Sequence, residues 1–234
     1  MASAALLYRK PVTICINRIL KLTSSDLIRK NTISEASYKM LFDYLASVFE
    51  MPYMDFQPHL RQKLVGYDCN TPEHLIWEFD PVKKCWFIVK GMVMVYYSDF
   101  KKGTIIYQLF EAGEIAILHD EFVNGKLAES GMIAVAGSEL LEITARQMDV
   151  IHELFPKSMK LQNKIISGLS GKVRQREELL RMEAKDKVRF FLKLYPQVKG
   201  KKRKVKLLDK DAASFLDMTE FTFSRLVKEI EGEG

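Results

Sequence analysis

Histidine and cysteine could in principle hold a metal in this chain, but their spacing argues against it. The four histidines, His59, His74, His119 and His152, are scattered and form no His-X-His pair, so a cupin-type iron or zinc site lacks its clustered ligands. The three cysteines, Cys15, Cys69 and Cys85, form no Cys-X-X-Cys pair and cannot supply a four-thiolate iron–sulfur cluster. No nucleophile–base constellation is legible, so the chain reads as a non-enzyme with no metal and no certain cofactor. A different chemistry is spelled near the end, in DAASFLDMTEFTFSRLVKEI, Asp211 to Ile230. On a helical projection, Glu220, Phe221, Thr222, Ser224, Arg225 and Lys228 face mainly outward. Hydroxyls, a guanidinium and an ammonium on one face can meet a polyanion.

The elements that must position this face follow from caps and spacing. Asp209 is a good N-cap for a helix over Lys210 to Leu216. Small Ala212 and Ala213 permit close helix approach. Asp217 falls where the chain must turn and tolerates a left-handed backbone. Thr219 then caps a second helix, Glu220 to about Ile230. Leu208, Ala212, Leu216, Met218, Phe223, Leu226, Val227 and Ile230 can share one core. This is the pattern of a helix-turn-helix, and equally that of a plain helical hairpin. Charge placement adds weight to the first. The net charge is +6, but residues 1–150 carry −2 and residues 151–234 carry +8. The run KGKKRKVKLL from Lys199 suits phosphate positioning.

Upstream, the periodicity changes twice. Ser34 to Phe49 carries a helical stripe at Tyr38, Leu41, Phe42, Leu45 and Phe49. From about Leu64 to Ile143, short runs rich in Ile, Val, Tyr and Phe alternate with turn signals: HLIWEF, CWFIVKG, MVMVYY, TIIYQLF, EIAIL, MIAVAG and ELLEI. Such strands call for a small barrel or jelly roll. From about Met148 the helical period returns, and Pro156 to Met182 reads as one long helix. Its seam of Met159, Ile165, Ile166, Leu169, Val173 and Leu180 must be buried, on the chain's own barrel or against a second copy. Flanking Lys172, Arg174 and Arg176 favour the parallel dimer. MEAKDKVRFFLKLYPQV is an amphipathic helix that stops before Pro196. The start of the chain reads as an arm, without the apolar core and cleavage site of a signal peptide. No apolar run approaches a membrane span. Odd, unpaired cysteines fit a reducing cytoplasm.

In order along the chain, CWFIVKGMVMVYY around Gly91, GEIAIL from Gly113, SELLEITARQMDVIHELFP, DKVRFFLKLYP and DKDAASFLDMTEFTFSRLVKEI resemble the Crp/Fnr family of bacterial transcription regulators, from about residue 60 to the end. The resemblance implies an α+β fold in three parts. Residues 1–150 would hold N-terminal helices and a cupin-like β-roll, 151–182 a long dimerisation helix, and 183–234 a winged-type helix-turn-helix. It implies a homodimer on a near-palindromic duplex DNA site, with RNA polymerase as a further partner and no membrane. Arg225 would read guanine O6 and N7, Phe221 would meet a thymine methyl, and Thr219, Thr222 and Lys228 would hold phosphates, with Ser224 in either role. Ile165, Ile166, Leu169, Val173 and Leu180 would form the dimer interface. An effector pocket would include Gly113, Glu114, Ala116, Ala128, Glu129 and Arg174. Members that bind cyclic AMP place an Arg where Ala128 falls, and a carboxylate, Glu129, follows. Cyclic AMP is therefore not the expected effector, and the pocket is empty, altered or filled by side chains. The alternative function is a small-molecule-sensing module that has lost DNA binding.

Overall fold

The computed structural model describes residues 28–49, 53–199 and 205–232. Cys15, most of the N-terminal arm and positions 200–204 of the basic run lie outside the described residues. The strands are β1 (Ile28–Asn31), β2 (Val65–Cys69), β3 (Glu73–Ile76), β4 (Lys84–Lys90), β5 (Met92–Asp99), β6 (Gly103–Glu111), β7 (Ile115–Ala116), β8 (Gly131–Ala134) and β9 (Ser138–Thr144). They form two antiparallel sheets, ordered β1-β2-β9-β4-β7 and β3-β8-β5-β6. The helices are α1 (Glu35–Val48), α2 (Tyr53–Lys63), α3 (His119–Asn124), α4 (Ala145–Leu154), α5 (Ser158–Leu180), α6 (Ala184–Leu194), α7 (Asp209–Phe215) and α8 (Glu220–Gly232).

Strand alternation sorts the core. On the first sheet, Trp86, Ile88 and Leu140 share one face. With Val93, Val95, Phe110 and Met132 of the second sheet they belong to one buried cluster. Cys85, Phe87, Leu141 and Ile143 share the opposite face and line an apolar cavity of about 90 Å³ with Leu45 of α1, Leu60 of α2 and Leu161 and Ile165 of α5. The second sheet is also apolar on its outer side. Met92, Met94, Tyr96, Ile106 and Leu109 form one cluster with Val188 and Phe191 of α6, Phe215 of α7 and Phe223 of α8. The C-terminal helices therefore pack on the roll through a continuous core.

Several boundaries differ from the sequence reading. The long helix is α5, Ser158–Leu180, preceded by a separate α4 that Thr144 and Gln147 close with a capping box. β1 and β2 pair along the edge of the first sheet, α2 accommodates Pro58, and α3 replaces an expected strand-to-turn passage. Among the described residues no strand follows Thr144.

The turn between β4 and β5 depends on Gly91, at φ +90°. A Cβ there would lie 2.2 Å from Ser138 Oγ and 2.6 Å from Ser138 Cα. Ser138 cannot retreat, because its hydroxyl accepts from the Met92 N–H at 3.1 Å and donates to the Val135 carbonyl at 2.6 Å. Gly91→Ala should cost about 2–4 kcal/mol in urea unfolding, from backbone strain and overpacking together.

Candidate functional site

α7 and α8 meet across a turn in which Asp217 adopts the left-handed conformation, φ 51°. The Thr219 hydroxyl accepts from the Thr222 N–H at 3.2 Å and so caps α8. Phe223, Leu226 and Val227 are buried, while Phe221, Arg225 and Lys228 are exposed. Phe221 keeps 78% of its surface in water. Ser224 stands apart from them: its hydroxyl donates to Asp209 Oδ2 at 2.6 Å. Asp209 is not the N-cap expected of it. It is the first residue of α7, and its carboxylate is also held by Lys199. A carboxylate in a first helical turn is favoured by the helix dipole, and here it also ties α8 to α7. Leu208, expected in the core, is 48% exposed, because it takes the cap position of α7 and turns outward there.

The expected effector residues fall on several elements. Gly113 and Glu114 lie in the β6–β7 turn, ahead of β7 and α3. Glu114 Oε2 accepts from the Glu111 N–H at 2.8 Å and from Lys172 Nζ at 2.7 Å. Lys172 reaches in from α5, also donates to the Leu109 carbonyl at 3.2 Å, and sits 5.7 Å from the Phe110 ring centroid. Burial pushes the neighbouring Glu111 carboxyl up, against a hydrogen bond from the Gln197 amide that pulls it down. Ala116 pairs with Trp86 in the sheet, and Ala128 exchanges main-chain hydrogen bonds with Phe79 and Asp80. Both alanines are fully buried in the roll's apolar cluster, and Glu129 is exposed. Arg174, the sequence candidate for a positive charge, is on the solvent side of α5 and pairs with Glu178 at 3.2 Å. Lys172, two residues earlier, is the cation that reaches Glu114. Its spacing from Ile165 and Leu169 on the inner face was the available signal.

The seam of α5 splits into two faces. Ile165 and Leu169 pack against the roll's cluster, as does Leu161. Met159, Ile166, Val173 and Leu180 recur at intervals of seven; Met159 and Val173 are exposed, Leu180 is half-buried, and Ile166 is half-buried at the border of the apolar cavity. Among the described residues no group of three or more His, Cys, Asp or Glu side chains could hold a metal ion. Burial pushes the thiols of Cys69 and Cys85 up to about 12, which leaves them protonated and poor ligands at neutral pH.

No protein-family model matches the chain, and no curated protein matches it. Solved structures do. FixK2 from Bradyrhizobium japonicum aligns at TM-score 0.59 and 18% identity, over 73% of this chain and 85% of that one. CLP, the c-di-GMP-responsive global regulator of Xanthomonas campestris, aligns at 0.58 and 14%, over 77% and 92%. A CooA variant from Carboxydothermus hydrogenoformans aligns at 0.55 and 16%, over 82% and 85%. The fold is that of these proteins. A cyclic nucleotide-binding domain from Methylobacillus flagellatus shares it at 0.53 and 15%. The structural neighbours are thus cyclic nucleotide-binding-domain proteins and regulators of Crp/Fnr type, and this chain shares their mixed arrangement of helices and antiparallel sheets. No helix among the described residues is long and apolar enough to cross a membrane.

Proposed function

We propose that the chain is a DNA-binding transcription regulator of Crp/Fnr type, acting as a homodimer, in which α8 reads the major groove. The outward strip of α8 carries this reading: Phe221, Arg225 and Lys228 are exposed on a helix whose other side is locked into the core. Arg225 reads guanine, Phe221 contacts a thymine methyl, and Thr219, Thr222 and Lys228 hold phosphates. Ser224 supports the helix through Asp209 and is left out of the reading set. The dimer forms along Met159, Ile166, Val173 and Leu180, while Ile165 and Leu169 serve the chain's own roll. Two copies joined this way present recognition helices about one turn, roughly 34 Å, apart on a near-palindrome. Cyclic AMP is not proposed as effector, because Glu114 is committed to Lys172 and Ala128 offers no charge to a phosphate.

The test is selection from a pool of randomised duplexes by the ligand-free protein, followed by affinity measurements on the enriched site. Arg225→Ala should cost about 1–3 kcal/mol and relax the preference at one base position. Lys228→Ala should weaken all duplexes alike and lower the salt slope by about one. Equal losses from both changes on every sequence would overturn the division of roles.

A further inference from the structure

We propose that the roll contains a binding site for a small organic anion, separate from the region of Glu114 and Ala128 and independent of whether the chain reads DNA. A cavity of about 240 Å³ lies between the two sheets, where β1, β2, β4 and β9 meet β3. Glu142 lines it, with only 9% of its side chain exposed. Glu142 accepts from Trp86 Nε1 at 3.1 Å, from Lys84 Nζ at 3.0 Å and from the Tyr67 hydroxyl at 3.4 Å. Its oxygens are therefore satisfied, and the cavity needs no further donor.

The unused capacity is positive. Lys30 is exposed at the rim and forms no ion pair among the described residues. Lys84, 45% exposed, offers three N–H bonds and shares them with one carboxylate. Two lysines and one carboxylate thus line the cavity, and an incoming anion completes the balance. Leu75, Leu140 and Trp86 supply an apolar wall for the rest of the ligand. The volume equals about eight water molecules at ~30 Å³ each, below the ~300 Å³ at which drug-sized pockets begin. These features point to a compact carboxylate with a flat or branched apolar body. A cationic ligand would meet two ammonium groups and is disfavoured.

Tryptophan fluorescence of the full chain reads this site directly, because Trp86 lines the cavity and Trp77 stacks on His74, another lining residue, at 3.4 Å. Titration with benzoate should give a saturable change, and benzylamine and cyclic AMP should give none. Lys84→Met should weaken benzoate binding by more than about tenfold, as removal of a partly buried charge does. Lys30→Ser should weaken it about threefold, as suits a rim charge. Lys30 lies on an exposed edge strand, so its variant carries the test even if Lys84→Met unfolds. The proposal fails if benzoate produces no saturable change, if both lysine variants bind it unaltered, or if benzylamine binds in its place.

Discussion

Val173→Glu is expected to leave the chain folded, to break the proposed dimer into monomers, and to lower its affinity for a near-palindromic duplex by about 10²–10⁴-fold. Val173 is 48% exposed and lies outside both buried clusters, so a charge there leaves the fold nearly untouched. In a parallel pair, residues seven apart on one stripe meet their own copies. The two introduced carboxylates would face each other across the axis, where like charges repel and apolar contact has been lost. The loss in DNA affinity is larger than the loss of any contact to DNA. Once the copies separate, the second half-site no longer benefits from the effective concentration that linkage provides. Sedimentation reports the mass and fluorescence anisotropy the affinity. A dimer that persists unchanged would show that this stripe is not the interface.

The second large effect is expected at Arg176, which fastens the C-terminal helices to the roll. Its Nε donates to the Phe215 carbonyl at 3.1 Å and its Nη2 to the Ile106 carbonyl at 3.3 Å. Burial presses its pKa down, and the guanidinium lies 5.2 Å from the Phe215 ring centroid. Beside it, Ser214 Oγ accepts from the Ile106 N–H at 2.9 Å and donates to the Thr104 carbonyl at 3.1 Å. β6 is the outer strand of its sheet, so these bonds cover polar groups that would otherwise be an open edge. Arg176→Met keeps the apolar stem and should cost about 1–3 kcal/mol for each carbonyl left unsatisfied. Ser214→Ala should cost a similar amount, and the two should not add, because both act on Ile106. Hydrogen exchange at the Ile106 amide should accelerate most in Ser214→Ala. Unchanged exchange in both variants would mean that the helices are held by the apolar cluster alone.

Local chemistry was legible at several points where the deciding interactions are close in sequence. Thr219 caps α8 because its partner is three residues away, and Asp217 turns left-handed because the chain has to reverse there. Strands β4, β5, β6 and β9 were visible as alternating or continuous apolar runs bounded by turn residues. β1 and β2 were not, because each is short and interrupted by polar residues or glycine, and their stability comes from pairing with each other and with β9. α3 spans six residues, too few for a helical period to show.

The change from strand to helix period, the helical pair near the end and its outward face could be read along the chain. Hydrophobic period, caps and turn residues are local quantities that a linear chain carries. Folding in three dimensions settled the rest: which residues on α5 serve the roll, that Lys172 rather than Arg174 enters beside Glu114, and that Ser224 is spent on Asp209. It also placed α7 against the edge of β6. Glu114 and Lys172 are 58 residues apart, and Ser214 and Ile106 are 108 apart. Isoleucine at 165 and at 166 is equally apolar in the sequence. That Ile165 packs on the cluster while Ile166 borders the cavity beside it depends on how the helix is rotated against a sheet whose position no local pattern encodes.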